Sequence, residues 1–163
     1  MRILVAGVGN VLRGDDGFGV VVAQRLAREK PPAHVEVMDI GIGGIHLVQE
    51  MLEPVDALVV VDAVDLGRIP GTVFVIRPDV AEVSALGLEE RYDWLADMHY
   101  ATPERALMLA RGLGILPDVT WIVGCQPGDA ERLGEGLSLE VDGAVEAAAA
   151  EVRRIARTLG VVW

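Results

Sequence analysis

Five short runs rich in β-branched residues recur along the chain, and most are followed by a turn and a segment with helical spacing. This alternation is typical of βαβ units, in which helices cover both faces of a largely parallel sheet. The predicted strands are 2–8, 34–39, 56–62, 72–77 and 119–124, and the predicted helices are 16–28, 45–52, 103–113 and 139–158. The predicted fold class is therefore α/β, with three layers: a mostly parallel twisted sheet of about five strands lies between helices.

Two of these runs predict special positions in the sheet. The run DALVVVD at 56–62 is apolar without interruption between its aspartates, which indicates a strand buried on both faces. The run at 72–77 follows a Pro70-Gly71 turn, so it is expected to be an antiparallel hairpin partner or an edge strand. The segment 78–102 has the least regular pattern and is interpreted as a long functional loop with helical pieces.

Capping residues mark the starts of two predicted helices. Thr102 precedes Pro103, which suits the first turn of a helix. Ser138 stands at the corresponding place before the helix predicted at 139–158. Both hydroxyls are therefore expected to cap the helices that follow them.

Composition and charge exclude several classes of function. The chain has 163 residues without a shift in composition, so a single domain at 1–163 is predicted. A formal net charge of −11 without a basic stripe excludes nucleic acid as a partner. No apolar run reaches the roughly 20 residues of a membrane span, so no membrane association is expected. Met1-Arg2 leads directly into a strand-like run without a secretory signal pattern, which favours a cytoplasmic protein.

The first strand-like run leads into GVGNVLRGDDGFG, a stretch to be compared with the dinucleotide fingerprint G-x-G-x-x-G. Its first two glycines fit, as does Asp39 at the end of the second strand, but Leu12 occupies the third glycine position. Asp15 and Asp16 lie where a pyrophosphate would need free N–H groups at a helix N-terminus. No nucleotide cofactor is therefore expected, and a nucleotide-binding oxidoreductase is kept only as a third interpretation.

Aspartates follow two strands that are expected to be neighbours. Helix capping explains one member of the pair Asp15 and Asp16 but leaves the other unexplained. If the strand order begins 2-1-3, the carboxyl ends of the first and third strands open into one crevice. Asp16 follows the first strand and Asp62 ends the third, although Asp62 could instead cap the next turn. Two carboxylates in one crevice repel each other and favour a bound cation.

A transition metal in that crevice would add a histidine ligand. His34 opens the second strand at the opposite end of the sheet, and His46 lies on a short helix where a packing or surface role is expected. His99 stands in the irregular loop, within DMHYATP. Two carboxylates and one imidazole suit a first-row divalent metal such as nickel or zinc, with positions left open for substrate or water.

Four stretches together resemble the hydrogenase maturation proteases: MRILVAGVGNVLRGDDGFGVVVAQRL, then DIGIGGIHL, VVVDAV at 59–64 and VGCQP at 123–127. They extend over nearly the whole chain. The resemblance implies a twisted, mostly parallel sheet between helices. It also implies an endopeptidase that removes the C-terminal extension from the large-subunit precursor of a nickel-iron hydrogenase. The expected partner is that precursor, and the expected metal is the nickel already inserted in it.

By the same resemblance, the nickel-binding residues are Asp16, Asp62 and His99. Asp16 and Asp62 are also the catalytic candidates, because either carboxylate could accept a proton from water. A bound metal could polarise the scissile carbonyl or activate that water, and the sequence does not choose between these.

Three further roles are predicted around the crevice. Gly43 and Gly44 are expected to form a flexible edge where an extended substrate tail lies. Asp15 is assigned to capping and orientation, and Asn10 to holding the turn by side-chain hydrogen bonds. By the same resemblance, Gln126 stands where many relatives have Glu, which argues against a catalytic role for this residue.

Two alternatives remain open. The single cysteine, Cys125, excludes an internal disulfide and follows a strand, but no histidine is adjacent in sequence to activate it as a nucleophile. A non-catalytic maturation chaperone that binds the nickel site of a partner protein would need the same residues, so only product formation separates it from a protease.

Overall fold

The computed structural model describes residues 1–82, 87 and 102–163. Five strands form one sheet in the order β2-β1-β3-β5-β4. Strand β4 pairs antiparallel with β5 at one edge, and the other neighbouring strands are parallel. The predicted fold class, the 2-1-3 order and the antiparallel edge strand are confirmed. The strands are β1 Ile3–Val8, β2 Val35–Gly41, β3 Ala57–Ala63, β4 Val73–Ile76 and β5 Val119–Cys125.

The helices of the described residues connect these strands. They are α1 Phe18–Ala27, α2 Gly44–Glu50, α3 Pro103–Gly112, α4 Leu139–Asp142 and α5 Val145–Thr158, and a 3₁₀ turn at Gly14–Gly17 precedes α1. The prediction of a single helix at 139–158 is wrong, because the helix is interrupted between Asp142 and Val145. The N–H of Ala144 donates to the carbonyl of Val141, three residues back, which tightens the turn at the helix-disfavouring Gly143. No helix in these described ranges is long and apolar enough to cross a bilayer.

The alternation of side chains along the strands divides the core into two clusters. One face of the sheet packs against α1, α4 and α5, and the other packs against α2 and α3. Strand β3 is buried from Ala57 to Val61, as its apolar run predicts, because helices cover both faces. The first face contributes Ile3, Val5, Val59 and Val61, and the second contributes Leu4, Ala6, Leu58 and Val60.

Helix α1 begins in close contact with the carboxyl ends of β1 and β3. A Cβ atom added to Gly19 would lie 2.0 Å from the carbonyl oxygen of Val61 and 2.3 Å from that of Val8. A Cβ atom on Gly7 would lie 2.3 Å from the carbonyl oxygen of Gly19. Neither position has room for a side chain, so the two glycines let the backbones touch. This contact places the Gly14–Gly17 turn at the carboxyl end of the sheet.

The two predicted helix caps have different outcomes. The Oγ1 atom of Thr102 accepts a hydrogen bond from the N–H of Arg105 at 3.4 Å, and Pro103 occupies the first turn, as predicted. The Ser138 prediction is wrong, since its side chain makes no capping bond to α4. Its hydroxyl donates instead to the carboxylate of Asp15 at 2.9 Å.

Candidate active site

The carboxyl ends of β1 and β3 open at the same edge of the sheet because the two strands are parallel neighbours. Asp62 lies near the end of β3, in register with Gly124 of β5, and Asp16 lies in the turn after β1. Side chains alternate along a strand, so Asp62 is on the same face as Leu58 and Val60, the face covered by α2 and α3. The two carboxylates thus meet at the point where the strand order reverses.

Three carboxylates interact in this crevice. Burial, and after it repulsion by Asp16, raise the pKa of Asp62 well above its usual value. Repulsion by Glu104 raises this pKa further, whereas a hydrogen bond from the N–H of Ala63 lowers it. Glu104 lies in the first turn of α3. Glu104 was not predicted from the sequence, although its place directly after Thr102-Pro103 was a signal. A cation bound here would relieve the repulsion.

Local contacts fix the backbone and the carboxylate of Asp16. The N–H of Asn10 donates to Oδ2 of Asp16 at 3.0 Å, and Oδ1 of Asn10 accepts from the N–H of Leu12 at 3.0 Å. The predicted role of Asn10 in holding the turn is therefore confirmed. Gly9 has a φ of 135°, and a Cβ atom there would lie 1.8 Å from the carbonyl oxygen of Asp16.

Asp15 contacts a different part of the molecule from Asp16. It is fully buried, and its Oδ2 accepts hydrogen bonds from the N–H groups of Gly128 and Asp129 at 2.8 and 2.9 Å. The N–H and hydroxyl of Ser138 donate to the same carboxylate at 2.6 and 2.9 Å. Burial alone would raise the pKa of Asp15, but these hydrogen bonds outweigh burial and hold the pKa below its usual value. Its carboxylate therefore orients the loop after β5 and does not cap α1.

Gly43 and Gly44 lie after the carboxyl end of β2, at the same end of the sheet as Asp16. Gly43 is the residue before α2 and has a φ of −88°. A Cβ atom on Gly43 would lie 3.4 Å from the Cβ of His46, an ordinary contact, so the fold does not require glycine there. Contact between this edge and a substrate stays a prediction.

The predicted histidine ligand cannot be located, because His99 lies outside the described residues. His46 is on α2, and its Nε2 lies 3.2 Å from Oε1 of Glu50. This contact within the helix agrees with the packing or surface role expected for His46. Among the described residues, no group of three or more His, Cys, Asp or Glu side chains is arranged to hold a metal ion. Asp16 and Asp62 would therefore need a ligand from elsewhere.

Cys125 has the wrong surroundings for a nucleophile. Its side chain is fully buried at the end of β5. Burial, and to a lesser degree the negative charge of Asp15, raise the pKa of the Cys125 thiol to about 11. The thiolate that cysteine chemistry requires is therefore scarce at neutral pH.

Gln126 holds the loop that follows β3. Its buried Oε1 accepts hydrogen bonds from the N–H groups of Leu66 and Arg68 at 2.8 and 3.0 Å. Its Nε2 donates to Oδ1 of Asp65 at 2.9 Å. These contacts assign Gln126 to support of the loop after β3.

A separate cavity of about 480 Å³ lies near the amino end of β5. Arg77, Asp79, Arg111 and Thr120 line it. Thr120 lines the cavity and Asp62 is in register with Gly124, four residues further along β5, so about 13 Å separates the cavity from the carboxylates. It is therefore not part of the crevice that holds Asp16 and Asp62.

The fold and the crevice define an α/β protein with an acidic site at the switch point of its sheet. The family model described as HycI, hydrogenase maturation protease, matches residues 20–155. The chain is 36% identical over 162 residues to the hydrogenase expression/formation protein HupD of Rhodobacter capsulatus, covering 98% of this chain and 73% of that protein. It is 35% identical over 161 residues to HupD of Rhizobium leguminosarum bv. viciae, covering 98% and 76%. The chain belongs to the hydrogenase maturation protease family.

Solved structures agree with this assignment. The hydrogenase maturating endopeptidase HybD from E. coli is 28% identical, with a TM-score of 0.76 and coverage of 99% of this chain and 96% of that one. A hydrogenase 2 maturation peptidase from a Thaumarchaeota archaeon is 35% identical, with a TM-score of 0.67 and coverage of 95% and 97%. The predicted family and fold are therefore confirmed.

Proposed function

We propose that this protein is the endopeptidase that removes the C-terminal extension from a nickel-iron hydrogenase large-subunit precursor once nickel has been inserted. The metal ion belongs to the substrate. Asp16, Asp62 and His99 recognise it, and its presence marks the precursor as ready for cleavage.

One observation carries this proposal: Asp62, a partly buried aspartate, faces the carboxylates of Asp16 and Glu104. The pKa of Asp62 is raised by burial and by the charges of Asp16 and Glu104. Such repulsion costs stability, and a fold keeps it where a ligand compensates for it. A metal cation carried by the substrate is a ligand of the required charge.

The position of His99 in the chain supports its assignment as the third ligand. His99 precedes Thr102, the cap of α3, by three residues, a length of chain that reaches at most about 10 Å. Glu104, in the first turn of α3, acts electrostatically on Asp62. The short distance in the chain between His99 and the helix start that borders the crevice therefore supports this assignment.

The crevice carboxylates also suit peptide hydrolysis. A water oxygen adds to the scissile carbonyl carbon while the carboxylate of Asp62 or Asp16 accepts the proton that the water loses. The C–N bond then breaks, and the same proton passes to the leaving amine. Because its pKa is raised, the carboxylate of Asp62 is a stronger proton acceptor than that of an ordinary aspartate. The products are a shortened large subunit and a free C-terminal peptide.

The test is the intact mass of a nickel-loaded large-subunit precursor before and after incubation with the protein. We expect loss of a C-terminal peptide with the wild-type protein and nickel, and no loss from a nickel-free precursor. Asp16→Asn and Asp62→Asn should lower the rate by at least a hundredfold, since each removes a charge from the site.

Asp39→Asn is the matched control. Asp39 is an exposed carboxylate at the same end of the sheet, on the edge strand β2, and it accepts a hydrogen bond from Gln24. This variant should cleave at the wild-type rate. Complex formation without any loss of mass would contradict proteolysis and favour the non-catalytic chaperone. Cleavage of nickel-free precursor at the full rate would contradict recognition of the metal.

A further inference from the structure

Asp15 is a buried charged group that the proposed chemistry does not use. Its carboxylate accepts four hydrogen bonds, all from the segment between Gly128 and Ser138. A carboxylate offers only acceptors, about four lone pairs in all, and here three donors contact Oδ2 and one contacts Oδ1. The buried carboxylate of Asp15 therefore holds the segment 128–138 against the Gly14–Gly17 turn.

The backbone around Asp15 is tied to the same segment. The N–H of Gly14 donates to the carbonyl of Gly134 at 3.1 Å, and the N–H of Asp15 donates to the carbonyl of Asp129 at 3.1 Å. The Gly14–Gly17 turn is thus held by backbone hydrogen bonds as well as by the Asp15 carboxylate. The next residue along this turn, Asp16, receives the hydrogen bond from the N–H of Asn10.

We propose that Asp15 is a positioning residue for the Asp16 carboxylate. By anchoring the Gly14–Gly17 turn to the segment 128–138, Asp15 fixes the backbone from which Asp16 enters the crevice. The two adjacent aspartates therefore have different roles: Asp15 holds the turn in the protein interior, and Asp16 contacts the substrate. The consequence for catalysis rests on the proposed function above, whereas the consequence for the position of Asp16 does not.

Asp15→Asn is a sharp perturbation of this anchor. An Asn side chain has nearly the same shape, but its NH₂ group is a donor and would face the N–H of Ser138 or those of Gly128 and Asp129. At least one donor then loses its partner in a buried place, so the segment must move away from the turn. We expect the Asp16 carboxylate to shift with it.

The first measurement is the amide proton shift of Asn10 by NMR, because this N–H donates directly to Asp16. Asp16→Asn calibrates the signal expected when that charged acceptor is removed. In Asp15→Asn the Asn10 signal should move toward the Asp16→Asn value. Asp129→Asn is the matched control: Asp129 is exposed and its side chain accepts only from the nearby N–H groups of Glu131 and Arg132, so Asn10 should keep its wild-type signal.

The second measurement is the kinetics of precursor processing. A displaced reacting group lowers kcat, so Asp15→Asn should lower kcat by on the order of ten- to a hundredfold with KM changed by less than about threefold. A role limited to docking of the substrate would raise KM and spare kcat. If Asp15→Asn does not fold, Ser138→Ala, which removes one of the four donors, should give a smaller change of Asn10 in the same direction.

The outcomes separate the two proposals. A wild-type Asn10 signal in folded Asp15→Asn, or in Ser138→Ala when Asp15→Asn is unfolded, overturns the positioning role, as does an unchanged kcat. If the wild-type protein releases no peptide from the precursor, the proposed function fails, and the Asn10 signal alone decides the role of Asp15.

Discussion

Substitution of Gly19 by Ala sets two physical effects against each other. Gly19 lies inside α1, where exchange of Gly for Ala normally stabilises a helix by about 1 kcal/mol. Here the added Cβ would lie 2.0 Å from the carbonyl oxygen of Val61 and 2.3 Å from that of Val8. These oxygens belong to two central strands, so neither can move aside as a flexible side chain would. We expect packing to prevail over helix propensity.

The structure gives the size of the effect. The closest contact is about 1 Å short of the 3.0 Å below which real Cβ atoms are essentially never found. Helix α1 must therefore move outward by about that distance and loosen its contacts with the core. Overpacking costs about 1–3 kcal/mol and sometimes more, and the upper end applies against backbone atoms. After the gain in propensity we expect a net loss of about 2 kcal/mol, or a Tm lower by about 4–8 °C.

Urea unfolding and a thermal scan measure this change directly, and an unchanged m-value would assign it to stability. Gly143→Ala is the control, because Gly143 has a φ of −61° and its Cβ would lie 3.4 Å from the carbonyl oxygen of Leu139. That variant should be neutral or more stable by about 0.4–1 kcal/mol. Gly19→Ala with wild-type or greater stability would refute the contact between α1 and the strand ends.

Three further predictions concern the crevice. The folded pKa of Asp62 is raised above the unfolded one, so its contribution to stability is present at low pH and is lost as the pH rises through the folded pKa. Asp62→Asn should therefore be more stable than the wild-type protein at pH 7, with the difference vanishing near pH 3 in denaturant unfolding, while processing is lost. Cys125→Ser should process precursor at the wild-type rate. Iodoacetamide should modify the Cys125 thiol of the folded wild-type protein slowly at pH 7, since burial raises the pKa of this thiol to about 11. Gly43→Ala should fold with unchanged Tm, and Gly43→Val should slow processing if a substrate tail lies along this edge.

Much of the site was predictable because it depends on strand ends. The apolar run before Asp62 and the glycine-rich stretch after β1 identify two strands and the residues that follow them. Parallel pairing then brings those residues to one edge whatever the details of packing. The 2-1-3 order was assumed when the pair was predicted, and the structure supplies it; given that order, the carboxylate pair follows from these local patterns.

The contacts that were missed join residues far apart in the chain. The partners of Asp15 lie 113 to 123 residues away, so no local pattern distinguishes it from a helix cap. Ser138 carried a capping pattern, but its hydroxyl found a buried charge instead. Glu104 became part of the crevice only because α3 packs on the face of the sheet that also carries Asp62.

The anchoring of the Gly14–Gly17 turn has a consequence for folding during synthesis. One wall of the crevice is tied to Gly128 and Ser138, and β5 must pair with β3 before those donors reach the turn. Contacts of such high sequence separation form late, after the loop between them has closed. Protein synthesis proceeds from the N-terminus, so a ribosome-bound chain that lacks its last third has strand β1 and both aspartates but no anchored turn. The Gly14–Gly17 turn can therefore be anchored only after the chain has been synthesised as far as Ser138.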